Sequence, residues 1–197
     1  MLDVDKCLAI SIAIDKLYSS RFPGTTPALW MNASEVCFLR AEGAAVFNWD
    51  MRGSAESFYN DGIRLSMEDY GVADGYNTYI NDATSVPAKF YDPEGQNPWT
   101  GVIPAVTIKW DETLTAEQKQ QKIITQKWIA MYPLGQEAWS EFRRTGYPKI
   151  YEIVNNESGG VISTSIQIRR VPFPYSEYLG NKDEVEKAIK LLNGPDT

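Results

Sequence analysis

The sequence predicts a mostly α fold, with helical hairpins followed by an irregular C-terminal region that carries a few short strands. Three observations point there. Apolar residues recur at spacings of three and four along successive stretches, as at Val4, Cys7, Leu8 and Ile12 and again at Ile124, Trp128 and Met131. Residues that start and stop helices bracket these stretches: Ser54, Thr115 with Gln118 three residues on, Pro133 and Gly146. From Ala73 to Trp110, and again past Pro148, prolines and glycines break the helical period.

The first element is a buried helix over Asp3 to Ser19, with its stripe completed by Ile14 and Leu17. The segment SSRFPGTTPALW, rich in Pro, Gly and hydroxyls, reads as a loop. A second helix opens at Asn32, with Glu35 placed to reach back as in a capping box; its apolar face is Val36, Leu39, Gly43, Val46 and Phe47. The small run Ala41, Gly43, Ala44, Ala45 invites a close neighbour. That neighbour follows at once: Asn48 to Gly53 is a turn, and Ser54 caps a stretch ending at Gly71 in which Ala55, Phe58, Tyr59, Gly62, Ile63, Ser66 and Tyr70 share a face. The pair, residues 32–72, resembles one tetratricopeptide unit, and one such hairpin needs another layer to cover its apolar face.

The remainder, residues 73–197, is loop-rich. A short helix is expected over Asp74 to Asp82, then a loop punctuated by Pro87, Pro93, Gly95, Pro98 and Gly101, long enough to suggest function. Val106, Ile108 and Trp110 alternate with polar residues as in a strand. Thr115 and Gln118 open a helix that Pro133 stops; the next buries Ala138, Trp139 and Phe142 and closes at Gly146. Ile150 to Val154 and Ile162 to Val171 read as strands around the turn NNESGG. Asn181 and Glu184 then cap a last helix carrying Val185, Ala188, Ile189 and Leu192.

Composition removes several function classes. The 197 residues fit one domain or a domain-sized piece of a larger protein, and 12% aromatics with 43% hydrophobics mark a chain that folds. A net charge of -7 supplies no long-range attraction for nucleic acid or anionic lipid. There is no histidine. Ser-His-Asp and Cys-His nucleophile systems, His-ligated zinc and imidazole proton shuttles are therefore excluded. Cys7 and Cys37 both sit in apolar helical patterns and read as buried thiols, so no cofactor or metal is implied.

Four constellations offer chemistry. Glu137 and Glu141 are one helical turn apart, as a carboxylate pair would be, but Arg143, Arg144 and Lys149 nearby favour a solvated ion-pair network. Asp92, Glu94 and Asn97 supply oxygen ligands at calcium-like spacing without the EF-hand pattern. The arginine pairs of EFRRTGYP and IQIRRVPFP suit either an anion or internal capping of carbonyls and carboxylates, the second being the simpler role. Aromatics in irregular segments, Phe22, Trp30, Tyr76, Tyr79, Tyr91 and Trp99, offer flat apolar faces on which the C–H face of a sugar stacks, although burial of each ring would anchor its loop equally well. Phe22, Tyr91 and Trp99 are the candidate carbohydrate contacts.

Three stretches together resemble a known family: EVCFLRAEGA with the following SAESFYNDGIRLSMEDYGV, then ITQKWIAMYPLGQEAWSEFRRTGYP, then IRRVPFPYSEYLGN. Their order and spacing are similar to the C-terminal part of SusD/RagB-like proteins, glycan-binding outer-membrane lipoproteins. The resemblance implies a scaffold of tetratricopeptide-like units, to which residues 32–72 would contribute one. It further implies capture of an oligosaccharide or other nutrient at the cell surface, delivery to a SusC-like TonB-dependent transporter, and no catalysis. Gln126, Lys127, Trp128, Glu137, Trp139, Arg143, Arg144, Arg169 and Arg170 match signature positions whose role is structural, so the family's ligand residues do not transfer. The family's lipoprotein signal and N-terminal region have no counterpart here, and the chain is expected to be a fragment forming a single C-terminal region. A tetratricopeptide-like protein-interaction scaffold without sugar binding is the alternative.

Overall fold

A computed structural model of the chain describes residues 30–87, 92, 95–96 and 99–192. The helix expected over Asp3 to Ser19 lies outside the described residues. The chain divides at Asn32, and the helices among the described residues belong to the second unit, Ala33–Thr197. Seven α-helices are formed among the described residues: α1 (Ala33–Ala45), α2 (Ala55–Asp69), α3 (Tyr76–Ile80, entered through a 3-10 turn at Ala73–Gly75), α4 (Ala116–Ala130), α5 (Gly135–Thr145), α6 (Tyr175–Gly180) and α7 (Lys182–Leu191). None is long and apolar enough to cross a membrane.

The helix ends expected at Ser54, Thr115 and Gly146 are realised at atomic level, whereas Asn181 makes no side-chain cap on α7. Ser54 Oγ accepts the Ser57 N–H at 3.1 Å. Thr115 and Gln118 form the reciprocal capping box, with Thr115 N donating to Gln118 Oε1 at 3.0 Å and Gln118 N to Thr115 Oγ1 at 3.3 Å. Gly146 takes the left-handed conformation (φ 77°) that closes α5, its N–H donating to Phe142 O at 2.7 Å.

α1 packs on α2 and on α4. Phe38, Phe58, Tyr59, Ile63, Trp110 and Ile123 form the apolar centre, the Phe38 and Tyr59 rings meeting edge to face at 6.2 Å and Tyr59 lying 5.1 Å from Trp110. The expected face of α2 is the buried one, apart from Tyr70 at its end. The face of α1 is not. Val36, Leu39 and Phe47 are exposed, and the helix instead buries Ser34, Glu35, Phe38, Ala41, Glu42 and Gly43. Glu35, expected to cap the helix, is buried beside Lys127.

Gly62 sets the approach of α2 to α1. A Cβ there would stand 2.8 Å from Cε1 and Cζ of Phe38, whose ring is fully buried. Gly62→Ala gains about 1 kcal/mol of helix propensity but overpacks a site that cannot yield, at a cost of about 1–3 kcal/mol. The variant is expected to unfold at lower urea concentration than the wild type; an unchanged or higher midpoint would show that the ring moves aside.

The expected strands are absent among the described residues, and the reason is visible in where their backbone groups go. At 106–110 the carbonyls of Thr107 and Lys109 accept from the buried Lys122 Nζ, the second at 2.8 Å; Ile108 O accepts from Tyr59 Oη at 2.7 Å, and Lys109 N donates to Asp82 O at 2.9 Å. Burial pulls the Lys122 ammonium below its usual range, with Asp111 opposing. Farther on, Gln167 Nε2 donates to Tyr151 O at 3.0 Å, Asn156 Nδ2 to Ile162 O at 2.7 Å and Trp139 Nε1 to Ile168 O at 3.1 Å. Side chains satisfy these carbonyls, so no ladder forms. α7 also differs: of its expected apolar face only Val185 is buried.

Candidate functional site

The sequence candidates fare differently. Phe22 and Tyr91 lie outside the described residues. Trp99 is described, half-buried, and packed at 5.5 Å from the ring of Tyr151 with a 54° tilt between planes. Gly101 permits this placement, because a Cβ there would fall 2.4 Å from Trp99 Cζ2. On the facing segment Gln167 adopts φ 61°, a left-handed conformation uncommon for a residue with a side chain, and its amide holds the Tyr151 carbonyl. Two separate loops thus meet at one aromatic pair.

Beside Trp99 opens a polar cavity of about 150 Å³, with Lys149, Glu152, Ser165, Gln167 and Arg169 in its walls. Arg169 is fixed by three contacts: its Nε donates to Ile166 O at 3.0 Å, its Nη1 to Phe142 O at 2.6 Å, and its guanidinium stacks 4.5 Å above the Phe142 ring. It closes the C-terminus of α5, as the structural reading of the arginine pairs expects. A ring face flanked by cationic, anionic, amide and hydroxyl groups is chemistry suited to a sugar, which offers apolar C–H faces and a rim of hydroxyls.

Tyr151 is the residue the sequence reading missed. Its place in the alternating KIYEIV made it a strand residue, and the only signal for it was another ring near the end of an irregular segment. Tyr76 and Tyr79, grouped with the loop aromatics, prove to be anchors. Both pack against the core; Tyr79 Oη donates to Gln126 Oε1 at 3.0 Å and Tyr76 Oη to Asn60 O at 3.3 Å. Trp30 is exposed. Another exposed pair, Phe47 and Trp49, stacks at 4.9 Å on the turn after α1, which Asn48 makes at φ 53°.

The carboxylates form no open acid/base pair. Glu137 is exposed whereas Glu141 is buried, and the network around it is not the solvated one expected from sequence. Lys127 Nζ lies 3.2 Å from Glu35 Oε1 and 3.0 Å from Glu141 Oε1; Arg144 Nη2 lies 2.6 Å from Glu141 Oε2 and 2.7 Å from Glu42 Oε2. Gln120 Nε2 completes the chain on Glu42 Oε1 at 2.8 Å. Burial acts to raise the Glu141 carboxyl, but hydrogen bonds and charge from Arg144 and Lys127 outweigh it and hold the group below the usual carboxylate range. The cluster ties α1, α4 and α5 together. Of the calcium-like set, Glu94 and Asn97 lie outside the described residues, among which no cluster of three acidic or thiol groups could hold a metal.

Comparison with known proteins places these features in a family. The model for SusD-like proteins, described as Susd and RagB outer membrane lipoprotein, matches residues 9–197. Among solved structures, a SusD homolog from Bacteroides uniformis is 47% identical with a TM-score of 0.78 over 88% of this chain and 36% of its own. A second, from Bacteroides thetaiotaomicron, is 42% identical with a TM-score of 0.75 over 88% of this chain and 37% of its own. A chitin-binding SusD homolog from Flavobacterium johnsoniae is 45% identical with a TM-score of 0.71 over 85% of this chain and 34% of its own. A comparison with curated proteins gave no match. The chain spans about a third of the length of these structures. Matched over nearly all of its own length, the chain belongs to the SusD-like family of SusD and RagB outer membrane lipoproteins.

Proposed function

We propose that this chain is part of a cell-surface protein that captures oligosaccharide and passes it, chemically unchanged, to a SusC-like TonB-dependent transporter in the outer membrane. The observation that carries the reading is the Trp99–Tyr151 pair beside a polar cavity. The sugar's apolar face stacks on the rings while Lys149 and Glu152 meet its hydroxyls. The 45% identical chitin-binding homolog supports β-linked N-acetylglucosamine as the first sugar to test. Family membership supports the outer-membrane location and the transporter partner.

Retention on insoluble polysaccharides tests it. The protein is expected to be retained by chitin or another member of a glycan panel, and Trp99→Ala to reduce that retention about tenfold or more, as loss of a central aromatic anchor does. Retention unaffected by Trp99→Ala would move the site elsewhere. The second reading, a protein-interaction scaffold, is favoured by the exposed Phe47–Trp49 pair and by Val36 and Leu39 on the same helical hairpin. Capture of a TonB-dependent barrel, lost on Trp49→Ala, with no glycan retained, would support it over sugar binding.

A further inference from the structure

Next to the polar cavity at Trp99 lies a larger cleft of different character. It measures about 380 Å³ and shares Phe142, Ile150 and Gln167 with its neighbour. Its other walls are chiefly the indoles of Trp128 and Trp139 and the side chains of Ile153, Ile162 and Ile168. Amides also line it, but their donors are turned to the protein's own backbone: Asn156 Nδ2 to Ile162 O, Asn155 Nδ2 to Gln96 O and Gln167 Nε2 to Tyr151 O. Trp139 Nε1 likewise donates to Ile168 O. The surface left to an occupant is mostly carbon, with the Glu157 carboxylate and the Ser163 and Thr164 hydroxyls as its remaining polar groups. A bare sugar ring, which brings hydroxyls on every edge, would lose most of their hydration there for few polar partners in return.

We propose that the cleft takes an aryl group carried by the glycan, so that the ligand is an oligosaccharide bearing an aromatic substituent rather than an unsubstituted one. This rests on the sugar site at Trp99. Three features select the occupant. The cleft shares Phe142, Ile150 and Gln167 with the polar cavity, so the two lie side by side and one substituted sugar can address both. Its volume exceeds the roughly 150 Å³ that suffices to hold a benzene ring in an apolar cavity. Two indoles offer the offset or edge-on partners that aromatic rings favour.

The test compares methyl and phenyl β-glycosides of the N-acetylglucosamine disaccharide by titration calorimetry with the full chain, the wild type beside Ile153→Asp and Trp99→Ala. Ile153 lines the cleft and is 60% exposed, so an aspartate there spoils its apolar wall while leaving the core untouched. The phenyl glycoside is expected to bind the wild type about tenfold more tightly than the methyl glycoside. Ile153→Asp is expected to abolish that preference while methyl glycoside binding stays the same, and Trp99→Ala to weaken both. Equal binding of the two glycosides to the wild type would overturn the proposal and leave the sugar site standing. So would a preference that survives Ile153→Asp. Failure of both glycosides to bind would overturn the sugar site at Trp99 and the aryl cleft with it.

Discussion

Lys127→Ala is expected to destabilise the protein by about 3–5 kcal/mol, the range found when one partner of a buried ion cluster is removed. Its side chain is 1% exposed and holds two carboxylates, Glu35 and Glu141, themselves 6% and 9% exposed. Without the ammonium, three carboxylates remain against Arg144 alone, and Glu35 is left in the interior without the cation that faces it. The energy lost is mainly the penalty of uncompensated buried charge. A triple variant, Lys127→Met with Glu35→Gln and Glu141→Gln, should therefore recover most of the loss, which urea unfolding followed by circular dichroism would measure. If the single variant unfolds like the wild type, water or a rearranged side chain is screening these carboxylates.

The same cluster predicts an acid limb. The folded-state pKa of Glu141 is depressed, so its stabilisation is complete above the unfolded value, about 4.3, and is lost as pH falls through the folded one. Stability should decline below about pH 4, and Glu141→Gln, less stable at neutral pH, should show a shallower decline.

Phe38→Ala is expected to lose about 3–5 kcal/mol, as aromatic truncations in closed cores do. The ring is fully buried, meets Tyr59 edge to face, and fills the space that Gly62 leaves open. Its removal also changes the meaning of Gly62. In wild type Gly62→Ala collides with the ring, whereas in Phe38→Ala the collision is gone and the alanine keeps its helix propensity. The pair should be strongly non-additive, with Gly62→Ala destabilising alone and neutral or stabilising in the Phe38→Ala background. Additive losses would show that the two residues do not share one space.

What the sequence disclosed and what it hid divide along the range of the interactions. Caps and stops are local: Ser54 reaches Ser57, Thr115 reaches Gln118, and Gly146 needs only its own backbone, so the spacing of a few residues was enough. The burial of α2 was legible because its apolar residues lie on one side. α1 is apolar around much of its circumference, and a rule that counts apolar residues chose Val36 and Leu39 while the fold buries Glu35 and Glu42. Their partners, Lys127 and Arg144, lie about a hundred residues away, and nothing in local periodicity announces them. The expected strands failed for a related reason. Alternation at Val106, Ile108 and Trp110 is real, but strands need a partner, and here Lys122 and Tyr59 claim the carbonyls first. Trp99 was readable as a ring without a helix to bury it, whereas Tyr151 and the cleft behind it depend on two loops meeting.

If Trp99 and Tyr151 form a sugar-binding surface, removing the indole should remove glycan binding. Titration calorimetry with soluble oligosaccharides of β-linked N-acetylglucosamine, using the wild type, Trp99→Ala and Trp49→Ala at matched folded fraction, tests it most directly. Saturable heat is expected for wild type and for Trp49→Ala and none at the same concentrations for Trp99→Ala. Equal heats for wild type and Trp99→Ala, or loss on Trp49→Ala instead, would contradict it.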